Sequence, residues 1–244
     1  MTSLEMSILK FSIGKRLSLC IALLPAACVL LAAAEPAWKT NPVSQWTAED
    51  ALHLLAASPW VKQTVPVLLP QLTPEQRRQG GATGGGKGSG LKALGLGGGS
   101  GTPAQPSRIS QGGTLTIRWE SAFPVRAAEL KAQDLGAPDW EGDAYVLAVY
   151  GVPGLKFNHD QKSLEGELKA AAFLKREGKK DLKPSSVQLM QAPNGLGIVV
   201  YVFPRSNEIS IADQRVEFVA QIDRLSLAQY FYPPEMEFEG ELQL

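Results

Sequence analysis

An unbroken apolar stretch at residues 197–203 constrains the fold of this chain more than any other feature. The stretch reads GIVVYVF, and Pro204, which cannot donate to a strand ladder, ends it. β-Branched and aromatic residues without a polar break are typical of a strand that is buried on both faces. The chain must therefore supply further layers that cover both sides of this strand.

The residues just before this stretch predict a partner strand. Segment 187–191 reads VQLMQ, and Asn194-Gly195 follows it. Asn-Gly between two apolar runs is a strong signal for the turn of a β-hairpin. We expect 187–191 and 197–203 to pair as neighbouring antiparallel strands.

Patterns along the rest of the chain predict further strands and helices. In 114–120, Leu115, Ile117 and Trp119 alternate with Thr116, Arg118 and Glu120, which predicts a strand with the first three side chains inward and the others outward. A capping box at Thr47 and Asp50 predicts a helix after Thr47, and Ser121 and Ser163 are candidate caps for helices at about 121–133 and 164–176. Other predicted strands are 65–69, 144–150, 216–222, 225–232 and a last edge strand within 236–244.

The order of these elements predicts the fold class. A predicted helix at 164–176 lies between the predicted strands 144–150 and 187–191. This strand–helix–strand order favours a parallel pair of these two strands with a right-handed crossover. The strands after residue 203 follow one another as an antiparallel meander. We expect an α+β fold with a mixed, largely antiparallel sheet of about six to eight strands and two or three packed helices.

The N-terminal 34 residues have the pattern of a secretory signal peptide. Lys10, Lys15 and Arg16 precede the apolar run 17–31, and Ala32-Ala33-Ala34 after it matches the small-residue motif of a cleavage site. The run contains Pro25 and is shorter than the roughly 20 residues of a membrane span, so we expect cleavage, export to the periplasm or exterior, and no stable membrane span afterwards. An uncleaved anchor and lipidation of Cys28 stay open as alternatives.

Cleavage would leave a nearly neutral chain without cysteine. Both cysteines, Cys20 and Cys28, lie in 1–34, as do three basic side chains and one acidic side chain, which leaves 21 basic and 23 acidic ones. The remaining chain can form no disulfide, so an ordinary core must stabilise it. Its charge gives no electrostatic reason to expect binding to nucleic acid.

A glycine-rich segment divides the remaining sequence. Residues 80–102 are rich in Gly, Ser and Thr, and we expect a flexible linker or loop there. The match to a phosphate-binding loop within it lacks the Ser or Thr after Lys87, where Gly88 stands, so we expect no nucleotide cofactor. Residues 35–79 are too few for a core of their own, and we expect them to dock on a main domain at 103–244.

Several segments of the chain occur together in a recognisable order. The order is Trp46, a short helix, Ser58-Pro59-Trp60, the glycine-rich segment and then RWESAFP at 118–124. With segments 203–205, 216–218 and 236–244, this arrangement resembles a group of uncharacterised secreted bacterial proteins. Glu241 stands where lysine is common in that group. The resemblance implies secretion and brings no known activity, so no functional residue is carried over from it.

Few residues in the chain are candidates for chemistry. The two histidines are His53 and His159, and no metal-ligand motif accompanies either of them, so we expect no metal. His159 and Asp160 follow the predicted strand 144–150. If strand 114–120 runs parallel to that strand, Glu120 and Ser121 would reach the same sheet edge. The alternative for 158–160 is a polar loop that caps a helix.

The scarcity of catalytic groups and the five tryptophans favour a binding function. We expect an exported, non-catalytic binding or scaffolding domain of the cell envelope, whose partner is an envelope protein or polymer. The alternative is an envelope hydrolase in which His159 acts as general base and Glu120 or Asp160 orients it. Binding of a small ligand between sheet and helices is a third possibility.

Overall fold

The computed structural model describes residues 35–69, 113–140, 142–155, 161–206 and 208–244. Ala37–Leu244 form one unit, to which all elements below belong; of the other unit, Met1–Pro36, only residues 35 and 36 are described. The expected signal peptide at 1–34, the glycine-rich segment at 80–102, and His159 and Asp160 all lie outside the described residues.

The described residues form four α-helices and eleven strands. The helices are α1 (Ala37–Thr40), α2 (Ala48–Ala56), α3 (Phe123–Ala132) and α4 (Gln161–Ala170). The first strands are β1 (Val61–Thr64), β2 (Val67–Leu68), β3 (Leu115–Trp119), β4 (Ala144–Val152), β5 (Phe173–Arg176) and β6 (Ser186–Gln191). The later strands are β7 (Gly197–Pro204), β8 (Val216–Ile222), β9 (Leu225–Phe231), β10 (Glu237–Phe238) and β11 (Glu241–Leu242).

The strands of the described residues form three antiparallel sheets. The large sheet has the order β1-β3-β4-β7-β6, and the small sheet has the order β2-β9-β8-β5. Strands β10 and β11 form a separate hairpin. The predicted α+β class with a large antiparallel sheet is confirmed.

The apolar stretch 197–203 lies in β7, between β4 and β6 in the large sheet. Ile198, Val199, Val200 and Tyr201 are all fully buried, as the absence of polar residues predicts. β6 and β7 pair with Leu189 opposite Val199, which confirms the predicted hairpin. Gly195 adopts a positive φ of 80° in its turn, a conformation that glycine takes without a steric penalty.

Aromatic side chains fill the space between the large and small sheets. Trp119 of the large sheet meets Phe231 of the small sheet at 5.2 Å between ring centroids, and Tyr201 meets Phe218 at 5.4 Å. Tyr145 packs edge-on against Trp119 at 6.0 Å. These edge-to-face contacts make one continuous core, to which most of the buried apolar residues belong.

The opposite face of the large sheet carries a second, smaller apolar cluster. It consists of Ala144, Val146, Ala148, Ile198 and Val200, with Trp140 and Tyr150 packed against it. Both faces of the central strands β4 and β7 are therefore buried.

Segment 37–69 contributes strands to both sheets. β1 pairs with β3, and β2 pairs with β9. Trp60 packs edge-on against Trp38 at 5.2 Å, and its indole nitrogen donates a hydrogen bond to the carbonyl of Gln243 at 2.8 Å. The aromatic contact joins the start of β1 to α1, and the hydrogen bond joins this segment to the C-terminal residues.

Two predictions about the middle of the chain are wrong. β4 and β6 are not paired, because β7 lies between them and runs antiparallel to both. The helix predicted for 164–176 begins at Gln161 and ends at Ala170, and residues 173–176 form β5 instead. Leu174 and Arg176 are buried and alternate with the half-buried Phe173 and Lys175, the two-residue period of a strand, and β5 pairs with β8.

The described residues include no helix with the length and apolar character that crossing a membrane requires.

The assignment of 173–176 to a core strand predicts how much stability is lost when a leucine there is shortened. Leu174 is fully buried, whereas Leu130 on α3 is 82% exposed. Leu174→Ala should lower the free energy of unfolding by about 2–5 kcal/mol, and Leu130→Ala should change it by less than about 0.5 kcal/mol. Chemical denaturation of both variants measures this, and equal effects would contradict the assignment.

Candidate functional site

Glu120 is the sequence-predicted site residue that the structure describes. It follows β3, and its amide donates to the carbonyl of Val146 at 2.8 Å, beside the first half of β4. β3 and β4 are antiparallel, with Trp119 opposite Leu147. The parallel arrangement that would bring Glu120 and Ser121 to the end of β4 that precedes His159 is therefore not formed. Ser121 does not cap α3, since its hydroxyl accepts a hydrogen bond from the Val146 amide at 3.0 Å and Ala122 is the N-cap residue.

The Glu120 carboxyl group lies in a buried polar network. Glu120 is only 1% exposed, and the hydroxyl of Tyr150 donates to its Oε1 at 2.6 Å. Arg118 Nε lies 3.9 Å from the same oxygen, and the Arg118 guanidinium stacks over the Tyr150 ring at 4.4 Å. Arg118 and Glu120 were predicted to point to solvent, and their burial corrects that prediction.

Two more carboxyl groups reach Arg118 from α3 and the turn after it. Arg118 Nη1 donates to Glu129 Oε1 at 3.1 Å and to Asp134 Oδ2 at 2.9 Å. Asp134 is held in place because its Oδ1 accepts a hydrogen bond from the Gly136 amide at 3.0 Å. We call Arg118, Glu120, Glu129, Asp134 and Tyr150 the Arg118 cluster; it ties α3 to the outer face of the large sheet.

The Arg118 cluster holds three carboxyl groups against one guanidinium, so its protonation matters. Burial and a hydrogen bond to Glu120 raise the pKa of Glu129 to about 10. Glu120 Oε2 is buried and has no hydrogen-bond partner among the described residues unless Glu129 carries a proton. A proton on Glu129 therefore supplies the missing donor and removes one buried negative charge.

The remaining groups of the cluster hydrogen-bond to one another, except Arg118 Nε, which has no hydrogen-bond partner among the described residues. Burial, together with the charge of Glu120, raises the pKa of the Tyr150 hydroxyl, which stays a neutral donor at physiological pH. The cluster therefore stabilises the attachment of α3. Of its members, only Glu120 was a candidate site residue from the sequence; Tyr150 lies on the same face of β4 as Ala148 and Val146.

A groove of about 450 Å³ opens at the end of β4 and was not predicted. Its walls come from residues 152–155 after β4, from Leu164 and Glu167 on α4, from residues 222–225 between β8 and β9, and from Leu68 on β2. Since these segments are far apart in the sequence, only the folded chain assembles the groove. Among the described residues, most of the lining side chains are apolar, and Glu167, Asp223 and Arg224 are charged.

Hydrogen bonds and close packing fix the walls of the groove. Arg224 and Leu69 exchange two hydrogen bonds, from Leu69 N to the Arg224 carbonyl at 2.8 Å and from Arg224 Nε to the Leu69 carbonyl at 3.0 Å. Leu155 packs directly on Gly197, where an added Cβ would lie 2.6 Å from Leu155 Cδ2. The absence of a side chain at Gly197 therefore sets the position of Leu155 in the groove wall.

A second, more open pocket of about 340 Å³ is lined by Arg176, Lys179, Lys180 and Glu208. Its cations are largely paired within the protein. Lys179 Nζ lies 2.6 Å from Asp213 Oδ1, and Arg176 Nη1 donates to the Glu208 carbonyl at 3.1 Å. These contacts hold residues 208–213 onto the end of β5 and the turn after it.

In the part of the chain that the structure describes, no three His, Cys, Asp or Glu side chains are grouped as metal ligands would be. Comparison with protein families, with curated proteins and with solved structures gives no significant match.

The proton on Glu129 predicts a pH dependence of stability. A carboxyl group whose pKa is raised in the folded state stabilises the fold below the unfolded pKa, and this stabilisation is lost as the pH rises towards the folded pKa. The free energy of unfolding should therefore decrease from about pH 5 to about pH 9. Urea denaturation across this range measures the slope.

Glu129→Gln mimics the protonated side chain and should flatten that slope. The exposed residue Glu237 provides the control, and Glu237→Gln should retain the slope of the original protein. An unchanged slope in Glu129→Gln would show that Glu129 does not hold the proton.

Proposed function

We propose that this chain is an exported, non-catalytic binding protein of the cell envelope, and that the groove at the end of β4 is its ligand site. The groove is the observation that carries the proposal. Its volume of about 450 Å³ lies in the range of roughly 300–1,000 Å³ that small-molecule sites occupy. A predominantly apolar lining with a few polar groups is also typical of such sites.

The construction of the groove supports this proposal. Its walls are anchored by the sheet end at Val152, by the turn 222–225 and by α4, whose Leu168 is buried in the main core. A site that is formed before binding loses less conformational entropy when the ligand enters. The groove therefore corresponds to the third possibility from the sequence, a small ligand bound between sheet and helices.

The hydrolase alternative has less support. Its general base, His159, and one orienting residue, Asp160, lie outside the described residues. Its other orienting residue, Glu120, accepts a hydrogen bond from Tyr150 in a buried cluster. We therefore favour binding over hydrolysis.

Export is proposed from the N-terminal sequence pattern and from the resemblance to secreted bacterial proteins. If the chain is exported and cleaved after Ala34, the protein isolated from the envelope fraction of a bacterium that expresses the full chain should begin at Glu35. N-terminal sequencing measures this start. A protein that stays in the cytoplasmic fraction would contradict the export proposal, and an exported protein that retains residues 1–34 would contradict cleavage after Ala34.

Octanol tests the groove, because it has a short apolar chain and no charge. Leu164→Gln places an amide in the groove wall and should weaken octanol binding roughly tenfold, the equivalent of about 1.4 kcal/mol. Gly166→Ala lies on the same helix, meets no atom within 4 Å of the added Cβ and should bind as the original protein does. Titration calorimetry measures both affinities.

Gly197→Ala provides a second test that adds no polar group. It should displace Leu155 and weaken octanol binding as well. Thermal unfolding of each variant shows whether the fold is retained. Equal octanol affinity in folded Leu164→Gln, Gly197→Ala and Gly166→Ala proteins would refute the groove as the site.

A further inference from the structure

The charges at the groove identify a class of ligand, an inference that rests on the proposed binding function. Glu167 on α4 and Asp223 in the turn between β8 and β9 line the groove together with Arg224. Two carboxylates and one guanidinium give the described part of this lining a net negative charge.

The three charged side chains differ in how far they are already engaged. Arg224 Nε donates to the carbonyl of Leu69, so its guanidinium is held against the β2 edge. Glu167 and Asp223 form no ion pair with any other described residue, and both are exposed. Arg224 keeps its positive charge, since its partner is a neutral carbonyl, and the two carboxylates outnumber it in the groove lining.

Their positions place the negative charge at the solvent side of an apolar surface. Leu155, Leu164 and Leu225 provide apolar wall within the same groove. A ligand that contacts both the apolar wall and the carboxylates needs an apolar body and a cationic end. We propose that the groove binds amphipathic amines, with the apolar body against the leucines and the ammonium group beside Glu167 and Asp223.

Exposure limits the size of the charge effect. Ion pairs between exposed groups contribute little, and salt screens them. The ammonium group should therefore add about threefold in affinity over an uncharged group of the same chain length, and a carboxylate should bind more weakly than both. The apolar body supplies most of the affinity.

Octylamine, octanol and octanoate form a matched series of probes for this proposal. At neutral pH and low salt, calorimetric titration of the purified protein should give the order octylamine, octanol, octanoate from tightest to weakest. The double variant Glu167→Gln/Asp223→Asn should lose the preference for octylamine and keep its affinity for octanol. Glu165→Gln, on α4 but outside the groove lining, should keep the preference.

The outcomes separate this inference from the proposed function. Octanoate binding as tightly as octylamine, or a preference that survives in the double variant, would overturn the amine class and leave the groove as an apolar site. Failure of all three probes to bind would contradict both proposals, because octanol tests the groove without any charge.

Discussion

The structure depends on the aromatic layer between the two sheets. Trp119 and Tyr201 of the large sheet meet Phe231 and Phe218 of the small sheet at centroid distances of 5.2 and 5.4 Å. This contact removes large apolar surfaces from water, and such burial is the dominant favourable term in folding. It also fixes which side of β3, β4 and β7 faces inward, because alternate residues of a strand point to opposite faces.

The outer face of the large sheet follows from that constraint. With Ile117 and Trp119 turned towards the small sheet, Arg118 is turned to the other side, where carboxyl groups from α3 and from the turn after it reach its guanidinium. A buried guanidinium needs charged partners, and Glu129 and Asp134 provide them. The Arg118 cluster is thus the polar counterpart of the aromatic layer, and it attaches α3 to the sheet.

The groove is a consequence of how the two sheets end. β4 leaves the large sheet at Val152, the turn between β8 and β9 closes the small sheet at 222–225, and α4 follows in sequence between β4 and β5. Apolar residues from these three places remain next to one another without filling the space between them. Binding is therefore proposed at a place where the architecture leaves an apolar concavity.

Elements with strong periodicity were predictable from the sequence. The apolar run 197–203, its hairpin with 187–191 and the strands 216–222 and 225–231 are present in the structure. β5 was missed because Ala171 and Ala172 extend a helical pattern, and the pairing with β8 that decides the outcome is a tertiary contact.

The candidate sites were less predictable than the fold. Alternation along β3 correctly placed Arg118 and Trp119 on opposite faces of the strand. It could not show that carboxylates from α3 and the turn after it would surround Arg118. Lone residues such as Leu68, Leu164 and Asp223 carry no signal of the groove, because it exists only once distant segments meet. Sites built from single residues of separate elements leave no motif in the sequence.

Backbone amide chemical shifts measured during a titration with octylamine test the central claim most directly. The account predicts that the largest changes occur at Gly154, Leu164, Glu167 and residues 222–225, which surround the groove. Changes confined to other apolar surface, such as the exposed Leu130 on α3 and Leu135 after it, would contradict the assignment of the groove as the ligand site.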